Sequence, residues 1–140
     1  MHRRDRPLLR GVLERQPSFR EAVRADARLA LDRGSGPTPS SVDEVRALDV
    51  VRLLWSADGF SAMACYRLRA TCLRAGIPIV PRLAQGLATV GSRVCIGEPV
   101  LLAPGIHLPQ GDVVIDGYTE IGSGVTIEAG VCIGLLEGNP

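Results

Sequence analysis

The sequence predicts an α+β chain in two successive parts: an N-terminal helical lobe over residues 1–88 and a parallel β solenoid over residues 89–140. Three observations predict it. In the first half, apolar residues recur at helical spacing behind capping signals. From Val90 onward, aliphatic residues fall every six positions instead. Charge divides at nearly the same place. Residues 1–82 carry 15 Arg against nine acids, whereas residues 83–140 carry one Arg, Arg93, against six acids.

Composition narrows the function classes. With 140 residues, 46% of them hydrophobic, and a net charge of +1, the chain has enough apolar mass for a core and lacks the profile of a disordered segment. No apolar run approaches the ~18–20 residues needed to cross a bilayer. The basic start, Met1 to Arg6, runs into Leu8-Leu9-Arg10 without the apolar stretch of a signal peptide, so a cytoplasmic location is expected. Every basic residue is Arg, which removes Schiff-base chemistry and Lys-dependent phosphate loops. These Arg alternate with acids at helical intervals and aromatic residues are few, so nucleic acid is not an expected partner. The four cysteines, Cys65, Cys72, Cys95 and Cys132, form no C-x-x-C, and only His2 and His107 could join them. Buried free thiols and no metal site are the expectation.

The elements follow in order. Ser18-Phe19-Arg20-Glu21 is a capping box, and Phe19, Val23, Ala27, Ala30 and Leu31 continue it as a helix that stops at Gly34. Residues 34–40 read as a linker, Gly-Ser-Gly-Pro-Thr-Pro-Ser. A second box, Ser41-Val42-Asp43-Glu44, opens a helix to about Trp55 with Val45, Leu48, Val51, Leu54 and Trp55 as its apolar positions. Asp58-Gly59 reads as a break. A third helix covers about Phe60 to Ala75, stops at Gly76, and carries Cys65 and Cys72 on one face. Pro78 and Pro81 bracket a turn, and a short helix is expected over 82–88.

From Val90 the inward positions are Val90, Ile96, Leu102 and Leu108, then, after a slip of one residue, Ile115, Ile121, Ile127 and Ile133. Two places before each stands a second inward-type residue: Ala88, Val94, Val100, Ile106, Val113, Thr119, Val125 and Val131. A plain antiparallel meander would show alternation and hairpin turns instead. A six-residue period means a short flat strand plus a corner, with three such units closing one triangular coil of ~18 residues. The aliphatic residues then stack inside, and each coil needs a neighbour to bury them. The slip predicts a bulge near Gly111-Asp112.

On these residues, Val90–Gly134 resembles the hexapeptide-repeat acyltransferases, whose fold is a left-handed parallel β-helix. The stretch from Phe60 to Gly117, FSAMACYRLRATCLRAGIPIVPRLAQGLATVGSRVCIGEPVLLAPGIHLPQGDVVIDG, is similar to the end of the helical domain and the first coils of bacterial serine O-acetyltransferases. The resemblance covers roughly residues 18–140. It implies transfer of an acetyl group from acetyl-CoA, a co-substrate, to the hydroxyl of L-serine, giving the O-acetylserine used in cysteine biosynthesis. It also implies a His general base, commonly assisted by an Asp, with no covalent enzyme intermediate and no metal. It further implies a homo-oligomer, a trimer or a dimer of trimers, with active sites between subunits. A sugar or other acceptor, or a non-catalytic scaffold subunit, are the alternatives.

The same resemblance selects candidate residues. In Gly105-Ile106-His107-Leu108-Pro109-Gln110-Gly111, Gln110 stands where the family carries its His. Glutamine can hold a hydroxyl but cannot take its proton. His107, three residues earlier, is either a relocated base or substrate contact, or a surface His. Asp112 at the slip completes the catalytic candidates. Asp116 and Arg93 are the substrate-binding candidates, with a solvated corner residue and a surface ion pair as their plainer roles. No residue is assigned to the acetyl-CoA groove. The family continues for several more coils, so a C-terminally truncated repeat of about two and a half coils is expected. The family tail that docks into cysteine synthase has no counterpart here, and that partner is not expected.

Overall fold

The structure, a computed structural model, describes residues 11, 12, 14–34, 39–77, 92–97 and 99–134. Helix α1 spans Phe19–Arg33. Its cap forms as expected, with the Glu21 amide donating to Ser18 Oγ at 3.4 Å. Val23 and Ala27 are buried, and they pack with Val45 and Phe60. Gly34 ends the helix, its amide donating to the Ala30 and Leu31 carbonyls.

The second helix differs from its sequence expectation. Ser41 opens only a 3-10 turn, Val42–Glu44, and Glu44 Oε2 accepts the Ser40 amide at 2.7 Å. Helix α2 begins later and spans Ala47–Ser56, with the Arg46 amide held by Asp49 Oδ2 at 3.1 Å. The inward face also differs from the expected one. Val50 and Leu53 pack against the α1 cluster, while Leu48, Val51, Leu54 and Trp55 are exposed. The expected apolar stripe is therefore the outer face, and of its members only Val45 is buried.

Asp58-Gly59 is not a break but the first turn of helix α3, Asp58–Arg74. Glycine is required there by packing. A Cβ on Gly59 would lie 2.2 Å from the Leu108 carbonyl oxygen, so the helix backbone rests directly on the β region. The expectation of buried thiols holds only in part: Cys72 is buried and Cys65 half-buried, but Cys95 and Cys132 sit on the outward positions of their strands and are exposed; all four are free. The expected turn at Pro78–Pro81 and the helix over 82–88 lie outside the described residues, as do Val90 and most of the 34–40 linker.

The β region is built from β1 (Val94–Ile96), β2 (Val100–Leu102), β3 (Val113–Ile115), β4 (Thr119–Ile121) and β5 (Cys132–Ile133). All pairing is parallel. β3 lies between β1 and β5, and β2 pairs with β4. A bridge joins His107 to Thr126. The registers show how the chain climbs. Val94 meets Val113, Val100 meets Thr119 and His107 meets Thr126, each 19 positions on, whereas Val114 meets Cys132, 18 positions on. Three strand positions thus repeat along the chain, and one turn holds an extra residue. Ile96, Leu102, Leu108, Ile115, Ile121 and Ile127 are buried together, as the six-residue period requires, and Ile133 packs against them. Val125 departs from the pattern and is exposed.

The two parts share one core. Ala62, Met63 and Tyr66 of α3 pack with the aliphatic stack. Beyond that packing, α3 covers backbone acceptors of the first turn. Tyr66 donates to the Val100 carbonyl at 2.6 Å, and Gln16 donates to the same oxygen at 2.9 Å. Arg69 donates to Ile96 O, and Arg67 to Leu102 O and Ala103 O. An uncovered sheet edge would leave those carbonyls to water or to another chain. Here side chains of a helix satisfy them.

Candidate functional site

The segment carrying the candidate residues is held from behind by a buried ion pair. Arg67 Nε lies 3.1 Å from Asp26 Oδ2, with both side chains almost fully buried. Asp26 Oδ1 also accepts the amides of Gly105 and Ile106, both at 2.9 Å. Two buried charges thereby satisfy backbone groups of residues 102–106 from two helices. Burial raises the Asp26 carboxyl above its ordinary value, against the opposing pull of Arg67 and the two amides. Neither residue was singled out from the sequence. A signal exists: Asp26 falls among Val23, Ala27 and Ala30, and Arg67 among Met63, Tyr66 and Ala70, so each charge sits on an apolar helix face.

His107 follows directly. Ile106 and Leu108 on either side are buried, so the imidazole stands on the outer side of the turn, half-covered. Its amide donates to Val125 O and its carbonyl accepts from Ile127, both at 2.9 Å. Burial lowers the imidazole pKa below the ordinary 6.5; the Arg33 charge lowers it further and Glu128 opposes both. The group is therefore neutral near pH 7, the form a general base requires. The folded protein takes up this proton less readily than the unfolded chain. Its contribution to stability is thus present above about pH 6.5 and is lost as pH falls below that value. We expect an imidazole NMR titration midpoint below 6.5 for His107, moving up in Arg33→Ala and down in Glu128→Gln. A midpoint at or above 6.5 in the native chain would contradict the burial described.

The extra residue lies where the phase slip places it. Asp112 has a left-handed φ of 65° and Arg93, facing it from the preceding turn, a φ of 55°. The Asp112 amide donates to Ser92 O at 3.0 Å. The two side chains form an exposed ion pair, Arg93 Nε to Asp112 Oδ1 at 3.6 Å. Arg93 and Asp112 are thus brought together, each as the other's partner. Gln110 is exposed beside them. Asp116 is exposed at a corner, where its Oδ1 accepts the Gly117 amide at 2.8 Å and its carbonyl accepts the Thr119 hydroxyl.

A cleft of about 280 Å³ opens next to this segment, between α1 and the β region. It is lined by Ala25, Arg28, Asp32, Gly105, Ser123 and Gly124, among others. Arg28 is fixed there by bonds to the Pro39 and Ser40 carbonyls. The cleft is small and of mixed lining, with Leu29, Val42 and Pro104 beside Arg28, Asp32 and Ser123, and its size suits a metabolite rather than a polymer. Among the described residues no cluster of His, Cys, Asp or Glu could hold a metal, and no helix is long and apolar enough to cross a membrane.

No protein-family model matches this chain, and no curated protein matches it.

Proposed function

We propose that the chain is a hexapeptide-repeat acyltransferase subunit, its β region the first coils of a left-handed parallel β-helix. Within that class the reading we favour is serine O-acetyltransferase-like: acetyl transfer from acetyl-CoA to the hydroxyl of L-serine. The observation that supports it most is the three-position parallel repeat with steps of 18 and 19 residues, capped by a helical lobe. His107 is the candidate base. As a neutral imidazole it would take the proton of the acceptor hydroxyl while the oxygen attacks the thioester carbonyl. The thiolate of CoA then leaves and receives a proton, and the acetyl group ends on the acceptor. Gln110 would orient the hydroxyl through its amide. The trimeric habit implied by the resemblance would complete the site from a neighbouring subunit.

The test is release of free thiol from acetyl-CoA, with L-serine and with a panel of sugar and amino acceptors. Serine-dependent turnover is expected, falling about 10²–10⁴-fold in His107→Gln if His107 is the base. Turnover only with another acceptor would keep the class and change the substrate. One feature favours a scaffold instead: Asp112, the carboxylate among the catalytic candidates, is already paired with Arg93. No turnover with any acceptor, in the native chain and in Gln110→His alike, would support that second reading.

A further inference from the structure

One face of helix α1 carries Ala25, Arg28, Leu29 and Asp32, and it walls the cleft of about 280 Å³ against the β region. The catalytic candidates Gln110 and Asp112 do not line this cleft. It opens at the corner of Gly105 and Gly124, and they lie beyond the next segment, 106–108. Its charged groups are uncommitted. Arg28 is pinned by two neutral acceptors, the Pro39 and Ser40 carbonyls at 3.4 and 3.2 Å, so its orientation is fixed while its charge is not offset. Its Nη1 donates to nothing among the described residues. Asp32, one turn further on, is exposed and has no hydrogen bond or ion pair among the described residues. The two stand at i, i+4, but with the basic residue first, the weaker order for a pair, and the guanidinium is turned to residues 39 and 40. Asp32 also lies in the last turn of α1, where the carbonyl end of a helix disfavours an anion and favours a cation.

The occupant follows from these groups. A carboxylate suits the free donors of a guanidinium, and an ammonium suits an unpaired carboxylate at the carbonyl end of a helix. Leu29, Val42 and Pro104 add an apolar wall. On the β side Gly124 holds a φ of 78°, and a Cβ there would meet nothing within 4 Å, so a ligand can approach the backbone at that corner. A molecule with one negative charge, one positive charge and an aliphatic body satisfies all of these features at once. We propose that the cleft between α1 and the corner of Gly105 and Gly124 binds a small aliphatic amino acid, its carboxylate on Arg28, its ammonium on Asp32 and its side chain on Leu29, Val42 and Pro104. L-serine, the acceptor favoured above, lacks the aliphatic body and is not the ligand this cleft fits. The proposal is independent of the catalytic reading.

The experiment is isothermal titration calorimetry of the full chain with L-leucine and L-valine, and with three probes that each lack one feature: isocaproate without the ammonium, isoamylamine without the carboxylate, and L-serine without the aliphatic body. The same titrations are run on Asp32→Asn, Arg28→Gln and Ser123→Phe, the last of which fills the cleft from the β side. Asp32→Asn breaks no bond among the described residues, so a loss of binding there is not a loss of folding. Circular dichroism verifies that the helices persist in the other two. The expected result is saturable binding of the aliphatic amino acids, about tenfold or more weaker in Asp32→Asn and in Arg28→Gln, as removal of a charged partner implies. Ser123→Phe should abolish it, and each of the three probes should bind about tenfold or more weakly than L-leucine. Absence of saturable binding by either aliphatic amino acid would overturn the proposal. So would equal affinity in the native chain and Asp32→Asn. Isocaproate binding as tightly as L-leucine would reduce the cleft to an anion site, and L-serine binding as tightly would show the apolar wall to be unused; either result overturns the assignment. His107→Gln is expected to bind L-leucine as the native chain does, so failure of the catalytic reading and failure of this one are read separately.

Discussion

Arg67→Met is expected to lower the free energy of unfolding by about 3–5 kcal/mol, the range found when one partner of a buried ion pair is removed. Total stability of a domain this size is on the order of 5–15 kcal/mol, so the loss is a large share of it. The magnitude follows from what is left behind. Asp26 would be left buried without its counter-ion, either charged and unpaired or protonated at a cost, and the Leu102 and Ala103 carbonyls would lose their donors. Replacing both charges by apolar residues often rescues a buried pair. It should not do so here, because the pair also serves four backbone groups: the carbonyls of 102 and 103 and the amides of 105 and 106. The double variant Asp26→Leu/Arg67→Met is therefore expected to be as unstable as Arg67→Met, or more so.

Asp26→Asn separates the two roles of the carboxylate. Both amides go to Oδ1, which also accepts Arg67 Nη2 at 3.3 Å, and an asparagine oxygen can replace it for these three donors. Oδ2 accepts from Arg67 Nε, and an amide nitrogen there would set donor against donor. Its cost should thus arise at Arg67 and be smaller in the Arg67→Met background, a coupling that a double-mutant cycle measures. Denaturant unfolding followed by circular dichroism is sufficient. A loss below about 1 kcal/mol for Arg67→Met, the range of an exposed pair, would show that the pair is not buried as described.

The different legibility of these features in the sequence has a physical basis. The inward positions of the β region were legible because the six-residue period recurs along the chain, and Ile96, Leu102, Leu108, Ile115, Ile121 and Ile127 are buried together as it predicts. The first helix was legible because its cap and its core face are local. The second was misread because α2 is apolar on both sides. Periodicity alone then selects a stripe without saying which stripe meets the core: it selects Leu48, Val51 and Trp55, whereas Val50 and Leu53 pack inward. Asp26 and Arg67 lie 41 positions apart and bond to backbone atoms some 35 to 80 positions from each, so no local rule pairs them. Of the candidate site, His107 lies on the outer side of the turn, as its place between two inward aliphatics requires. Arg93 and Asp112 could not be matched from sequence, because their pairing depends on the register between successive turns.

Gly111→Ala is the second substitution with a large expected effect, because that register depends on it. The step from Val94 to Val113 takes 19 residues, while the step from Val114 to Cys132 takes 18. The extra residue is absorbed at 110–112, where the chain passes against Ser92. A Cβ on Gly111 would stand 1.7 Å from the Ser92 carbonyl oxygen and 2.7 Å from its carbon, both backbone atoms that cannot swing away. The same carbonyl accepts the Asp112 amide, so moving it also breaks the bond that ties the bulge to the preceding turn. Asp112 and Arg93 hold left-handed backbone on the two sides of this contact and offer little room to adjust. An overpacked site of this kind costs typically about 1–3 kcal/mol and occasionally more. Gly122→Ala is the matched control: nothing lies within 4 Å of its Cβ, and its effect should stay within about 0.5 kcal/mol. Thermal unfolding of the two variants side by side decides the matter. Equal stabilities would mean that the extra residue is accommodated elsewhere. A selective loss in Gly111→Ala would place the insertion between Gln110 and Asp112, so that the bulge sets where these two candidate side chains stand relative to His107.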